Sequence, residues 1–218
     1  MAAPNAGLVL ERLGSVRERI RAAGGNDVSV VAVTKSHPWE VLVAAAEAGC
    51  DALGENYVQE MLTKLDGRRP PAPLHMIGSI QSNKVRKIDS VVSLWQSVDR
   101  ASVLDEIGRR AASGGCDRVL IQVNITGETT KGGCDPSGLD SLLERAGSAG
   151  VRVLGLMGIG PTGGTRAARE TAFRLLRGLC DSRGLGVCSM GMSEDYEVAV
   201  SCGSTMVRLG SVLFGART

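Results

Sequence analysis

The 218-residue chain is 43% hydrophobic and 22% charged, an ordinary globular balance with length for one large domain or two small ones. A net charge of +2 is too small to mark a nucleic-acid or membrane partner, and charged residues or glycines interrupt every apolar run well short of a membrane span. The six cysteines form no C-x-x-C pair and only two histidines accompany them, so neither a disulfide framework nor a metal centre is expected.

The opening M-A-A-P-N-A-G lacks the charged and apolar regions of a secretory signal, and a cytoplasmic protein with reduced thiols is expected. Aromatics make up only 3%, which leaves the core to Val, Leu, Ile, Ala and Met. Residues 8–23 place Leu10, Leu13, Val16 and Ile20 at helical spacing, and Gly24-Gly25-Asn26 ends the pattern. Next, V-S-V-V-A-V-T-K over 28–35 reads as a strand buried on both faces that ends on Lys35.

From there strand and helix alternate. Strands are predicted over 51–54, 74–77, 91–98, 118–124, 151–159, 187–191 and 205–209. Helices are predicted over 39–48, 58–65, 83–88, 101–112, 139–149, 166–181 and 194–200, with a short apolar tail through Phe214. Strict alternation argues for parallel strands with right-handed crossovers. About eight βα units favour a (β/α)8 TIM barrel over an open doubly wound sheet, which the alternation alone also fits. The expectation is one domain over 1–218, with a leading helix in 1–25 and the barrel in 26–218.

Gly158-Ile159-Gly160-Pro161-Thr162-Gly163 matches the dinucleotide fingerprint G-x-G-x-x-G. It lies in the sixth unit instead of opening the fold, and the next strand ends on Met190-Gly191 without the acidic residue that a ribose needs. It reads as a strand-to-helix turn near an anion, not as an NAD site.

The polar residues hardest to explain by packing fall at the C-terminal ends of the strands. They are Lys35, Glu55 with Asn56, His75 with Gly78, Asn124, Ser193 with Asp195, and Arg208 with Gly210 and Ser211. In a barrel they all face the catalytic rim. Singly, each has a plainer explanation: Lys35 as the strand's exit into water, Ser193 as a helix cap, Arg208 as half of a structural ion pair. Jointly, a lysine, a phosphate cradle and a strand arginine describe a pyridoxal 5'-phosphate (PLP) site. The amine of Lys35 forms a Schiff base, Ser193, Gly210 and Ser211 hold the phosphate, and Arg208 meets the ring nitrogen.

Seven segments, in order from about residue 28 to residue 217, carry a specific resemblance: V-A-V-T-K, L-G-E-N-Y-V-Q-E, L-H-M-I-G-S-I-Q-S-N-K, V-N-I-T-G-E-T-T-K-G-G, G-L-M-G-I-G-P, C-S-M-G-M-S-E-D and G-S-T-M-V-R-L-G-S-V-L-F-G-A-R. The chain resembles the pyridoxal-phosphate homeostasis protein family, one-domain proteins similar to the barrel domain of alanine racemase. The resemblance implies PLP bound covalently to Lys35, Arg208 at the ring nitrogen, Ser193, Gly210 and Ser211 at the phosphate, and Asn56 close to the cofactor. Lys131 matches a lysine in the family's S-G-E-x-S-K segment. The Ser36-His37-Pro38 turn departs from the usual Thr-Lys-Pro type.

The resemblance further implies a carrier that buffers a reactive aldehyde and delivers PLP to apo PLP-dependent enzymes. A single-domain barrel of this kind is expected as a monomer, and the charge balance gives no nucleic-acid or membrane partner. An arginine at the ring nitrogen makes the cofactor a weak electron sink. Racemases of this barrel type add a tyrosine base from a second domain, whereas the only tyrosines here are Tyr57 and Tyr196. A non-catalytic role is therefore favoured. One alternative is a small PLP-dependent racemase or lyase with His75, Tyr57 or Lys131 as its base. A barrel enzyme acting on a phosphorylated metabolite is another. The basic run K-V-R-K at 84–87 reads as a solvated helix face.

Overall fold

A computed structural model describes residues 5–215. The opening Met1 to Pro4 and the closing Ala216, Arg217 and Thr218 lie outside the described residues, including parts of the signal-peptide and G-A-R readings. Helix α1 (Ala6–Ala22) precedes strand β1 (Ser29–Val33), α2 (Trp39–Glu47), β2 (Ala52–Glu55), α3 (Val58–Leu65) and β3 (Leu74–Met76). There follow α4 (Ser82–Val85), β4 (Leu94–Val98), α5 (Ala101–Ala111), β5 (Arg118–Gln122), a 3-10 turn (Pro136–Gly138) and α6 (Leu139–Ser148). The chain continues through β6 (Arg152–Met157), α7 (Arg166–Asp181), β7 (Val187–Ser189), α8 (Tyr196–Ser201), β8 (Met206–Leu209) and α9 (Ser211–Phe214).

All eight strands pair in parallel in sequence order, and β8 pairs back to β1 through Val31 and Arg208. The sheet is therefore a closed barrel, as expected, with the leading helix packed against α2, α8 and α9. The strand period of two sorts residues between two cores. Val31, Ala52, Leu94, Leu120, Met157 and Met206 fill the interior, while Val30, Leu53, Trp95 and Val207 face the helices in the larger outer core. Asn5 starts α1 by accepting the Leu8 amide at 3.0 Å, and Thr165 starts α7 by accepting the amide of Ala168.

Several elements differ from the sequence expectation. The strand expected at 91–98 starts at Leu94, because the amides of Val91 and Val92 bond back to the Ile88 carbonyl in a turn. Helix α4 stops after four residues, and the apolar tail expected near Phe214 is the short helix α9. The first strand ends two residues before Lys35. Ser36 then adopts a left-handed φ of +62°, which turns the chain. All six cysteines are free thiols. Among the described residues no helix is long and apolar enough to cross a membrane, and no three metal-binding side chains cluster.

Candidate functional site

Parity carries Lys35 into the barrel mouth. Val31 lies in the interior, Val33 lines a cavity two residues later, and Lys35 lines the same cavity after two more. On the far side of the β1–β8 seam, Met206, Arg208 and Gly210 follow the same alternation. The cavity has a volume of about 340 Å³, within the range of small-molecule sites. Lys35, Ser193, Arg208, Gly210 and Ser211 all line it. Five of the six residues expected to bind the cofactor thus share one cavity.

The sixth, Asn56, lines a different cleft of about 360 Å³ with Tyr57 and Ser79, and its Oδ1 is buried without a hydrogen-bond partner. The G-x-G-x-x-G segment turns from β6 into α7, and its residues 159–163 form one wall of the cavity.

Ser193 occupies the turn after β7, where Gly191 takes a φ of +95° and a side chain would collide with Tyr196 and Ala199. Its Oγ accepts long hydrogen bonds from the amides of Gly210 at 3.3 Å and Val212 at 3.4 Å. Two backbone donors and a hydroxyl therefore converge at the end of β8, the usual place for a phosphate in this fold. The His37 ring meets Phe214 edge-on at 5.1 Å, which joins the turn after Lys35 to the helix after this cradle.

Arg208 is 4% exposed. Its Nη1 donates to the Ser189 carbonyl at 2.9 Å and hydroxyl at 2.7 Å, and its Nη2 donates to the Gly158 carbonyl at 2.9 Å. Burial pulls the guanidinium down to about 10, with nearby Asp195 opposing, so it stays charged at neutral pH. Arg208 can only donate, so Ser189 Oγ accepts from it and keeps its own hydrogen for a further partner. Ser189 Oγ donates to Gln96 Oε1 at 2.8 Å, and Gln96 Nε2 then donates to His75 Nδ1 at 2.8 Å.

His75 therefore lies below the site, inside the barrel, instead of on the rim where the sequence pattern put it. Burial lowers its pKa to about 4, consistent with an acceptor Nδ1 on a neutral ring. Glu55 also leaves the rim: it is fully buried on the helix-facing side of β2, bonded to Lys64 and Thr34. The side chain of Asn124 folds its own loop, accepting the amides of Thr126 and Gly127.

Lys131 lines the cavity, and its Nζ donates to Glu128 at 2.7 Å and to the Gly160 carbonyl. This ion pair, with the Thr162 amide, holds the Glu128 carboxyl down at about 2. Arg169, which sequence reasoning passed over, also lines the cavity and has a buried, unpartnered Nε. Helical spacing places it on an otherwise ordinary basic face of α7, so nothing in the sequence sets it apart.

The parallel barrel thus carries a lysine just after β1, an arginine within β8 and an amide cradle after it, around one cavity. The family model of the alanine racemase N-terminal domain matches residues 11–218. A pyridoxal phosphate homeostasis protein of Aquifex aeolicus is 40% identical, over 95% of this chain and 97% of that protein. Its Pseudomonas aeruginosa counterpart is 39% identical, over 96% of each. The structure of PipY from Synechococcus elongatus with PLP bound superposes with a TM-score of 0.83 at 32% identity, over 95% of this chain and all of that one. The chain belongs to the pyridoxal phosphate homeostasis protein family, within the alanine racemase N-terminal domain class.

Proposed function

We propose that this protein binds PLP in the cavity at the C-terminal end of its barrel and serves PLP homeostasis as a carrier or buffer. The observation that carries the reading is the meeting of Lys35, Arg208, Ser193, Gly210 and Ser211 around one cavity of about 340 Å³. The residues fit the group. The amides of Gly210 and Val212 spend their hydrogen bonds on a distant hydroxyl, so a phosphate oxygen is the better acceptor. Arg208, fixed by two carbonyls and a hydroxyl, offers a positive donor to a pyridine nitrogen. PLP supplies an aldehyde whose carbon takes a C=N bond from a lysine amine while its oxygen leaves as water, and Lys35 is the lysine we assign to it.

The surroundings favour holding over turnover. A charged guanidinium cannot give the ring nitrogen a proton readily. The amine of Lys131 is committed to Glu128 and the Gly160 carbonyl, His75 lies below the cavity against Gln96, and Tyr57 lines a different cleft. Delivery to apo PLP-dependent enzymes, action as a monomer and residence in the cytoplasm belong to this proposal.

A second reading, a small racemase or lyase, draws on Lys131, a second amine in the same cavity. Two assays test the pair. Lys35→Ala is expected to abolish the absorbance of lysine-bound PLP, and an unchanged spectrum overturns the carrier site. The wild-type protein is expected to leave the α-hydrogen of amino acids unexchanged in D₂O, and sustained exchange favours the enzyme.

A further inference from the structure

The turn that presents Lys35 is gripped from behind by a buried ion cluster outside the cavity. Lys64, on α3, has a side chain only 5% exposed, and Glu55 beside it is fully buried. Lys64 Nζ donates to Glu55 Oε1 at 2.5 Å, to the Thr34 carbonyl at 2.8 Å and to Glu60 Oε1 at 3.0 Å. Thr34 Oγ1 donates to the same Glu55 oxygen at 2.6 Å, and the Thr34 amide continues the ladder to Gly54 at 3.0 Å. On the other side of the lysine, Glu60 accepts the Ser36 amide, and Ser36 is one of two non-glycine residues with a left-handed φ among those described.

Both chain neighbours of Lys35 are therefore held by one cluster, whose residues Glu55, Glu60 and Lys64 are not among those that line the cavity. As packing it is a poor choice. Two carboxylates share one ammonium in a place where an apolar group could seal α3 against β1. Glu55 Oε2 is left buried with no hydrogen-bond partner, and desolvation pushes this carboxyl up despite Lys64. What the charges provide, and apolar groups would not, is directional hold on the Thr34 carbonyl and the Ser36 amide.

We propose that Glu55, Lys64 and Glu60 are positioning residues that lock the 34–36 turn so that the Lys35 amine projects into the cavity. This rests on the reading of Lys35 as the PLP-bearing lysine. The test uses the full chain with three variants: Glu60→Ala, Glu60→Gln and Glu55→Gln/Lys64→Met. Two quantities are measured on each, namely the PLP dissociation constant and the acylation rate of Lys35 against pH in PLP-free protein, by mass spectrometry of its peptide.

Glu60 is partly exposed, so Glu60→Ala is expected to stay folded, with its unfolding midpoint lowered by only a few degrees. It should raise the PLP dissociation constant about tenfold, the size of one charge-assisted hydrogen bond, and shift the acylation profile of Lys35. Glu60→Gln, whose amide oxygen still accepts from Ser36, should recover most of both. The double variant removes the buried charges together and should be stable, yet bind PLP as weakly as Glu60→Ala. Wild-type affinity and acylation profile in both Glu60→Ala and the double variant would overturn the proposal and leave the cluster as packing alone. If PLP proves to sit on a different lysine, the cofactor reading fails, and the acylation profile still decides whether the cluster positions Lys35.

Discussion

Arg208 and His75 lie at the two ends of one hydrogen-bonded line, and the Gln96 amide in the middle of it makes Nδ1 of His75 an acceptor. The guanidinium donates to Ser189 Oγ, Ser189 Oγ donates to Gln96 Oε1, and Gln96 Nε2 donates to His75 Nδ1. A neutral His75 has a consequence for stability. Its folded pKa is about 4 against an ordinary value of 6.5, so below 6.5 the unfolded chain takes up a proton that the folded one refuses. The contribution is fully present above 6.5, drains as pH falls, and levels off near 4, with a total on the order of 3 kcal/mol. His75→Gln, which keeps a group able to accept from Gln96, should flatten that slope in urea titrations across this window. A variant as acid-sensitive as the wild type would contradict the account. The sequence put both residues among the candidates, and both are buried; only their place in the barrel separates them, since Arg208 lines the cavity and His75 ends the line beneath it.

At the scale of elements, the bounds of α3 and α7 are legible to the residue because their apolar spacing stops at clear signals. The β-branched run of β1 is equally plain, and so is its exit at Lys35. Less legible is which way each strand-end residue points. On β2, small Ala52 and Gly54 face the narrow interior while Leu53 and Glu55 face the helices, so Glu55 serves the turn behind the site and not the site itself. Lys64, its partner, looks like any charged residue on an amphipathic helix, and only the fold brings the two together. The mouths of β2 and β3 also meet closely. A Cβ on Gly78 would lie 2.1 Å from the Asn56 carbonyl oxygen, backbone that cannot step aside. Gly78→Ala should therefore destabilise by roughly 1–3 kcal/mol in chemical denaturation. An unchanged midpoint would mean that the two loops are not in contact.

At the scale of the whole molecule, the count of eight alternating units pointed to closure, and the β1–β8 pairing completes it. That seam matters for the proposed site because Lys35 and Arg208, far apart in sequence, approach the cavity from its two sides. No local motif joins them. The G-x-G-x-x-G segment was separable from a dinucleotide site by its place in the order of strands, and the barrel uses it as a cavity wall. Membership of the PLP homeostasis family and the shared cavity lead to one claim, that PLP is held on Lys35. Borohydride reduction of the PLP-loaded protein, followed by peptide mapping, tests it most directly. A single reduced adduct on the peptide containing Lys35 is the predicted result; an adduct confined to another lysine, or none at all, would contradict it.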